Sequence, residues 1–335
     1  MAALRESAAQ NQIGIFVGRF TAGVRTLHGS CSCARASERQ GVCRGVMYAA
    51  NSPAERLRSL LREPKLQVMP CCFDALSARL VEQAGFALTF MSGFAVSAAR
   101  IGRPDTGLIS YGEMRDQGTN ICQAVSIPVL GDGDTGYGNA INVKRTVQGY
   151  ARAGFAAVMI EDQVLPKRCG HTQGKQVVDR QEALMRIRAA VDAREEGANI
   201  LILARTDACA VAGFDEALWR IQAFGDLGAD ILFLEAPTTV EQMTQFCRVA
   251  KAPPMANLVE GGKTPWLPPS ELEAMGYRIA AFPLTLLNVS IRAMQAALAT
   301  LRDGRSPAGL LSFEELQRVV GFEDYDREQR RYAER

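Results

Sequence analysis

Histidine and tryptophan are scarce in this chain of 335 residues, two of each. With so few imidazoles, and no C-x-x-C pair among nine scattered cysteines, the four ligands of a zinc site are hard to assemble. Cys31-Ser32-Cys33 and Cys71-Cys72 stand too close to bridge within themselves, so the pattern reads as free thiols in a reducing compartment rather than a disulfide framework. Charge of one sign is not in excess either. Thirty-eight basic and 36 acidic residues leave a net charge of +2, too little for a long-range field that draws in nucleic acid or a membrane surface. No apolar run approaches the roughly 18 residues that a membrane-spanning helix needs. What is present is 47% hydrophobic and 22% charged, a globular composition, in a length that suits one α/β barrel.

The first fifty residues contain no lysine and no aspartate. They carry Arg5, Arg19, Arg25, Arg35, Arg39 and Arg44 against only Glu6 and Glu38, with much serine, alanine and glycine. That bias matches an organellar transit peptide, which must stay cationic and unfolded during import. A plain disordered tail is the alternative. The expected division is a leader over residues 1–52 and one folded domain over 53–335, ending in the charged helical tail "FEDYDREQRRYAER".

From about Pro53 short apolar runs alternate with amphipathic stretches. The candidate strands are "LQVMPC", "ALTFMSG", "IPVLGD", "AAVMIED", "ILILARTD", "ILFLEAP", "PPMANL" and "YRIAAFPL". Between them Val143, Val147, Tyr150 and Ala151 recur at helical spacing, as do Leu184, Ile187 and Val191, and Leu218, Ile221 and Phe224. Strands this apolar, each followed by a helix, are parallel and buried on both faces. Eight such units predict a closed (β/α)8 barrel. Ser92, Asp132, Asp134, Glu161, Arg205, Asp207, Glu235 and Asn257 all fall at or just beyond the carboxyl ends of these strands. One such acid is ordinarily a helix cap. Polar groups on so many strands predict a shared site on one rim.

The stretch "PVLGDGDTGYGN" carries Gly131, Gly133 and Gly136 in G-x-G-x-x-G spacing, the dinucleotide fingerprint. Glu161 even ends the next strand, about where a ribose ligand belongs. Asp132 and Asp134, however, sit where the pyrophosphate would lie and would repel it. A calcium EF-hand also fails: counting from Asp132, the twelfth position is Val143, where a glutamate is needed. Three carboxylates from Asp132, Asp134 and Glu161 suit Mg²⁺, which binds through one or two carboxylates and keeps its waters.

The segments "SGFAVSAARIGRPDTG", "GDGDTGYGN", "IEDQ", "PKRCGH", "ARTDA" and "ANLVEGGKTP" are similar to those of the isocitrate lyase/phosphoenolpyruvate mutase superfamily, from about Leu66 to beyond Pro283. Within it the sequence most resembles the methylisocitrate and dimethylmalate lyase branch, and the plant chloroplast carboxyvinyl-carboxyphosphonate phosphorylmutase group. The resemblance implies a Mg²⁺-dependent barrel acting on small hydroxy or keto dicarboxylates, assembled as tetramers of helix-swapped dimers, without nucleic acid or membrane as partner. It implies Asp134 as direct metal ligand, with Asp132 and Glu161 holding metal-bound waters. It further implies Ser92 and the Gly93 backbone at a substrate carboxylate, Asp105 in the polar wall, Arg205 neutralising the keto-acid half, and Glu235 and Asn257 orienting groups nearby. The plant likeness makes the plastid the expected destination of the leader, with the mitochondrion as alternative.

Cleaving a C–C bond beside a hydroxyl requires a polarised carbonyl, a place for the carbanion's charge, and a proton for the leaving carbon. Cys169 stands among Lys167, Arg168 and His171, on a segment with Gly170 and Gly174 that has the composition of a closing loop. Cationic neighbours favour thiolate and make the thiol a usable acid or base, although an ordinary exposed cysteine has the same surroundings. The resemblance assigns the loop cysteine as general acid. Phe90 and Phe94 depart from the tyrosine and glycine of the isocitrate and methylisocitrate lyases, which argues against a tricarboxylate and for a smaller or more apolar substrate such as an alkyl-substituted malate. A C–C lyase is therefore expected. A phosphonomutase, or a barrel that binds keto acids with weak turnover, are the alternatives.

Overall fold

The computed structural model describes residues 51–170 and 174–333. The leader expected over 1–52 lies outside them except for its last two residues, and so does His171. The elements run α1 (Pro53–Arg62), β1 (Gln67–Cys72), α2 (Ala75–Gln83), β2 (Thr89–Met91), α3 (Gly93–Val96), α4 (Tyr111–Ala124), β3 (Val129–Asp132), α5 (Ala140–Ala153), β4 (Ala157–Glu161) and α6 (Arg180–Glu195). They continue with β5 (Leu201–Thr206), α7 (Phe214–Asp226), β6 (Ile231–Leu234), α8 (Val240–Val249), β7 (Pro254–Asn257), α9 (Pro269–Met275), β8 (Ile279–Phe282), α10 (Thr285–Arg302), α11 (Phe313–Val320) and α12 (Phe322–Ala333).

The eight strands close into one parallel barrel in chain order, and β8 returns to β1 with Gln67 opposite Ile279. Each of the eight apolar runs contains one strand, so the (β/α)8 expectation holds. The strands read as unbroken apolar runs because both faces are buried. In β4, Ala157 and Met159 join a cluster inside the barrel, while Val158 and Ile160 join the larger cluster between sheet and helices.

Helix α1 begins at an N-cap, with Ser52 Oγ accepting from the Glu55 N–H and Pro53 at the first turn. Its Ala54 and Leu57 are wholly buried in the inner cluster beside Leu88 and Ala156, so it plugs the amino-terminal mouth. Burying a leucine contributes about 1.5–3 kcal/mol, more than helix propensity supplies over one turn.

Helix α10 is different. It buries only Leu287, while Val289, Met294, Leu298 and Leu301 are exposed. The tail is helical as expected, forming α12. Among the described residues no helix is long and apolar enough to cross a membrane.

Candidate active site

The carboxyl ends of the strands meet at one rim, as the pattern of polar residues requires. After β2, Ser92 caps α3, its Oγ accepting from the Ala95 N–H at 3.4 Å. The Gly93 N–H donates to Asp132 Oδ2 at 3.1 Å. A π-helical turn over Ser97–Ile101 follows, ended by Gly102 in the left-handed region, and delivers Asp105 to the rim.

The glycine-rich loop after β3 is no phosphate cradle. Three of its N–H groups are already engaged: Gly133 donates to the Met159 carbonyl at 3.0 Å, Asp134 to Asp132 Oδ1 at 3.0 Å, and Gly136 to the Gly133 carbonyl at 2.9 Å. Asp134 itself is left-handed, φ 49°, a conformation that costs a non-glycine residue about 1–2 kcal/mol. The Asp132 carboxylate on its N–H, and the Glu161 N–H on its carbonyl at 2.9 Å, hold it there.

Cations are threaded between these acids. The Lys167 ammonium lies 2.7 Å from Asp105 and 2.6 Å from Asp134, all three side chains being buried. Burial alone would lower its pKa; the carboxylates of Asp134, Asp132 and Asp105 outweigh that and hold it charged, well above the usual lysine range. Arg205 forms a two-pronged pair with Asp207, Nε to Oδ2 at 2.8 Å and Nη2 to Oδ1 at 3.0 Å. It also approaches Glu161 at 3.2 Å and Glu235 at 3.6 Å, with its guanidinium 5.2 Å from the centre of the Phe233 ring. Glu235 in turn accepts from the Asn257 amide at 3.3 Å. Beneath, Asp162 accepts from Thr206 Oγ1, the Asp207 N–H and Arg220, fixing the end of β5.

A cavity of about 60 Å³ opens at the centre. Its lining is mixed: Ser92, Asp105, Asp132, Lys167, Arg205, Glu235 and Asn257 supply polar groups, and Phe90, Phe94, Phe233 and Leu284 apolar surface. Cys169 also lines it. The segment bearing Cys169 is tied down by Gln163, whose amide donates to the Arg168 carbonyl at 2.8 Å and accepts from the Arg168 N–H at 2.9 Å. Gly170 packs directly on the site: a β-carbon there would lie 2.5 Å from Arg205 Nη2 and 2.6 Å from Glu235 Cδ.

Eight of the candidate catalytic, substrate-binding and metal residues, Ser92, Asp105, Asp132, Lys167, Cys169, Arg205, Glu235 and Asn257, thus share one cavity. Gly93, Asp134 and Glu161 adjoin it through Asp132, Lys167 and Arg205 without lining it. Sequence reasoning missed Lys175, Asp162, Arg220, Phe233 and Leu284; only the acids within "IEDQ" and "ARTDA" hinted at the buried network.

The donor set fits a hydrated divalent cation. Six buried carboxylates, Asp105, Asp132, Asp134, Glu161, Asp207 and Glu235, face three buried cations, Lys167, Lys175 and Arg205. Glu161 Oε1 is buried without a hydrogen-bond partner. Burial pushes the Glu161 and Asp132 carboxyls above their usual range, against the opposing pull of Arg205 and Lys167 respectively. Among the described residues no three such groups converge as a ready-made ion cage.

Comparison with known proteins gives a consistent picture. The family model described as phosphoenolpyruvate phosphomutase matches residues 57–302. The chain is 39% identical to 2,3-dimethylmalate lyase of Eubacterium barkeri, over 84% of this chain and 98% of that one. It is 38% identical to the chloroplastic carboxyvinyl-carboxyphosphonate phosphorylmutase of Arabidopsis thaliana, over 81% and 79%. Among solved structures, oxaloacetate acetylhydrolase bound to 3,3-difluorooxalacetate superposes with a TM-score of 0.81 at 38% identity, over 84% and 97%. Phosphonopyruvate hydrolase in complex with oxalate and Mg²⁺ gives 0.75 at 29% identity, over 84% and 99%.

Proposed function

This chain belongs to the phosphoenolpyruvate phosphomutase family, within the isocitrate lyase/phosphoenolpyruvate mutase superfamily, and is an enzyme of the lyase and mutase kind. From that premise we propose that it is a Mg²⁺-dependent lyase that cleaves the C–C bond of a small alkyl-substituted malate to a keto acid and a carboxylate, or, with water as co-substrate, that of a 2-keto dicarboxylate to two carboxylates. The observation that carries this reading is the mixed lining of the cavity, with Cys169 and Arg205 among its charged and polar groups and Phe90, Phe94 and Phe233 among its apolar ones. A dicarboxylate with an alkyl branch matches both kinds of lining.

In this reading Ser92 and the Gly93 backbone bind one carboxylate of the substrate, while Arg205 neutralises the half that becomes the keto acid. Glu235 and Asn257 orient Arg205 and the groups beside it, and Lys167 keeps Asp105 in the wall through their ion pair. A carboxylate of the wall takes the hydroxyl proton. The electrons of the breaking bond pass to the carbon next to the second carboxylate, and Cys169 delivers the proton that completes the new C–H bond. The two proton transfers cancel once the thiol is regained. Lys167, Arg168 and His171 are the basic neighbours of that thiol in the sequence. Mg²⁺, held by Asp134 with Asp132 and Glu161, would act as a Lewis acid on the oxygen at the cleaved bond.

The exposed apolar residues of α10 support a tetramer of helix-swapped dimers, and the arginine-rich leader supports import into the plastid, with the mitochondrion as alternative destination. A phosphorus–carbon mutase is the second reading, favoured by the likeness to the Arabidopsis protein. Cys169→Ser separates the two, because a mutase shifts a phosphoryl group within one bound molecule and has no carbanion to protonate. Serine keeps the size but is a far weaker acid, so turnover on C–C substrates should fall about 10²–10⁴-fold with substrate affinity little changed. Near-full turnover in this variant would remove Cys169 as the acid.

A further inference from the structure

Lys175 lies outside every role assigned so far, yet it is nearly as deeply buried as the groups of the cavity wall. Its ammonium stands 2.8 Å from Asp207 Oδ1, the same oxygen that accepts from Arg205 Nη2 at 3.0 Å. Lys175 belongs to the segment that carries Cys169. The two arms of that segment are joined by backbone bonds, the Val164 N–H to the Gln176 carbonyl and the Val178 N–H to the Asp162 carbonyl, each at 2.9 Å. One arm is anchored by Lys167 on Asp105 and Asp134, the other by Lys175 on Asp207.

The charge around Arg205 shows what Lys175 changes. Asp207, Glu161 and Glu235 all approach the guanidinium, so without a further cation three carboxylates would absorb its charge. Lys175 shares Asp207 and leaves part of that charge available to an incoming carboxylate. It also holds the Asp207 carboxylate in the plane that fixes the guanidinium fork. We propose that Lys175 is a positioning residue which, through Asp207, keeps Arg205 oriented toward the substrate carboxylate and its charge only partly neutralised, while docking the segment that carries Cys169. This rests on the lyase reading only for the identity of the substrate.

The test uses the full chain with Mg²⁺ and two readouts, turnover of an alkyl-substituted malate and calorimetric binding of oxalate, a small dianion. Lys175→Met should weaken oxalate binding about 10-fold and lower kcat about 10–10²-fold, with an unchanged circular dichroism spectrum. Lys175→Arg, which keeps the cation, should recover most of both. In an Asp207→Asn background Lys175→Met should cost little more, since the path through Asp207 is already cut. Should Lys175→Met fail to fold, Lys175→Gln keeps a donor without the charge and carries the same expectation. Wild-type oxalate affinity and turnover in the uncharged variants, or an equal loss in the Asp207→Asn background, would overturn the proposal. A wild type that binds oxalate but cleaves no malate would overturn the lyase reading instead, and the oxalate arm would still decide the role of Lys175.

Discussion

Gly93 and Asp132 are in such close contact that no side chain fits between them: the Gly93 N–H donates to Asp132 Oδ2 at 3.1 Å, and a β-carbon on Gly93 would stand 2.4 Å from that oxygen. The backbone of one rim loop therefore fixes a carboxylate of the next. Gly93→Ala should push the Asp132 carboxylate aside while leaving the fold intact. Displacements of about 1 Å at a reacting centre cost on the order of 10² in rate. Turnover should fall by about that factor, and the Mg²⁺ concentration giving half-maximal activity should rise. Wild-type kinetics in this variant would show that the position of Asp132 is immaterial.

The cysteines divide by environment. Burial pushes the thiols of Cys72, Cys122 and Cys247 up to about 12 and that of Cys71 well above its ordinary value, so at about pH 7.5 these remain protonated and unreactive. Mass-spectrometric mapping after brief iodoacetamide treatment should find Cys169 alkylated before any of these four; labelling of Cys72 or Cys122 first contradicts the assignment. The linkage has a definite sign. Folding favours the neutral thiol, so the stability these groups contribute is complete below their ordinary value of 9.0 and is lost as pH climbs toward about 12.

Helix α10 predicts assembly. Met294, Leu298 and Leu301 are each more than half exposed, which an isolated barrel would not favour. Replacing Met294 and Leu298 together by glutamate should convert a tetramer into smaller species in sedimentation analysis. A wild-type protein that sediments as a monomer removes the swapped-helix assembly from the account.

The barrel was legible in the sequence because burial on both faces leaves an unmistakable trace: eight apolar runs, each containing one strand. The rim was legible for a related reason, since Ser92, Asp132, Arg205, Glu235 and Asn257 interrupt those runs at their ends. What could not be read was pairing at a distance. Nothing local marks Lys175 as the partner of Asp207, 32 residues away, or Arg220 as that of Asp162, 58 away. Such contacts arise only when the barrel closes. Phe233 was equally hidden, because it looks like any other core residue of a buried strand.

The leader carries its own prediction. The first helix is capped by Ser52, so a chain beginning at Asn51 should keep that cap and retain full stability and turnover. A fluorescent reporter fused to the preceding residues should accumulate in plastids. A cytosolic reporter would refute the targeting proposal, and a mitochondrial one would select the alternative.

The central claim, Mg²⁺-dependent C–C cleavage, is tested most directly by product analysis on 2,3-dimethylmalate and related alkyl-substituted malates. Purified enzyme with Mg²⁺ should release a keto acid and a carboxylate in equal amounts. Release should stop in EDTA, return when Mg²⁺ is restored, and be absent in Asp134→Ala, whose circular dichroism spectrum should match the wild type because Asp134 lies in a rim loop outside both core clusters. Keto-acid release that survives EDTA or Asp134→Ala would contradict the metal's part in the reaction, and a wild type that cleaves no malate or 2-keto dicarboxylate while consuming a phosphonate would contradict the lyase.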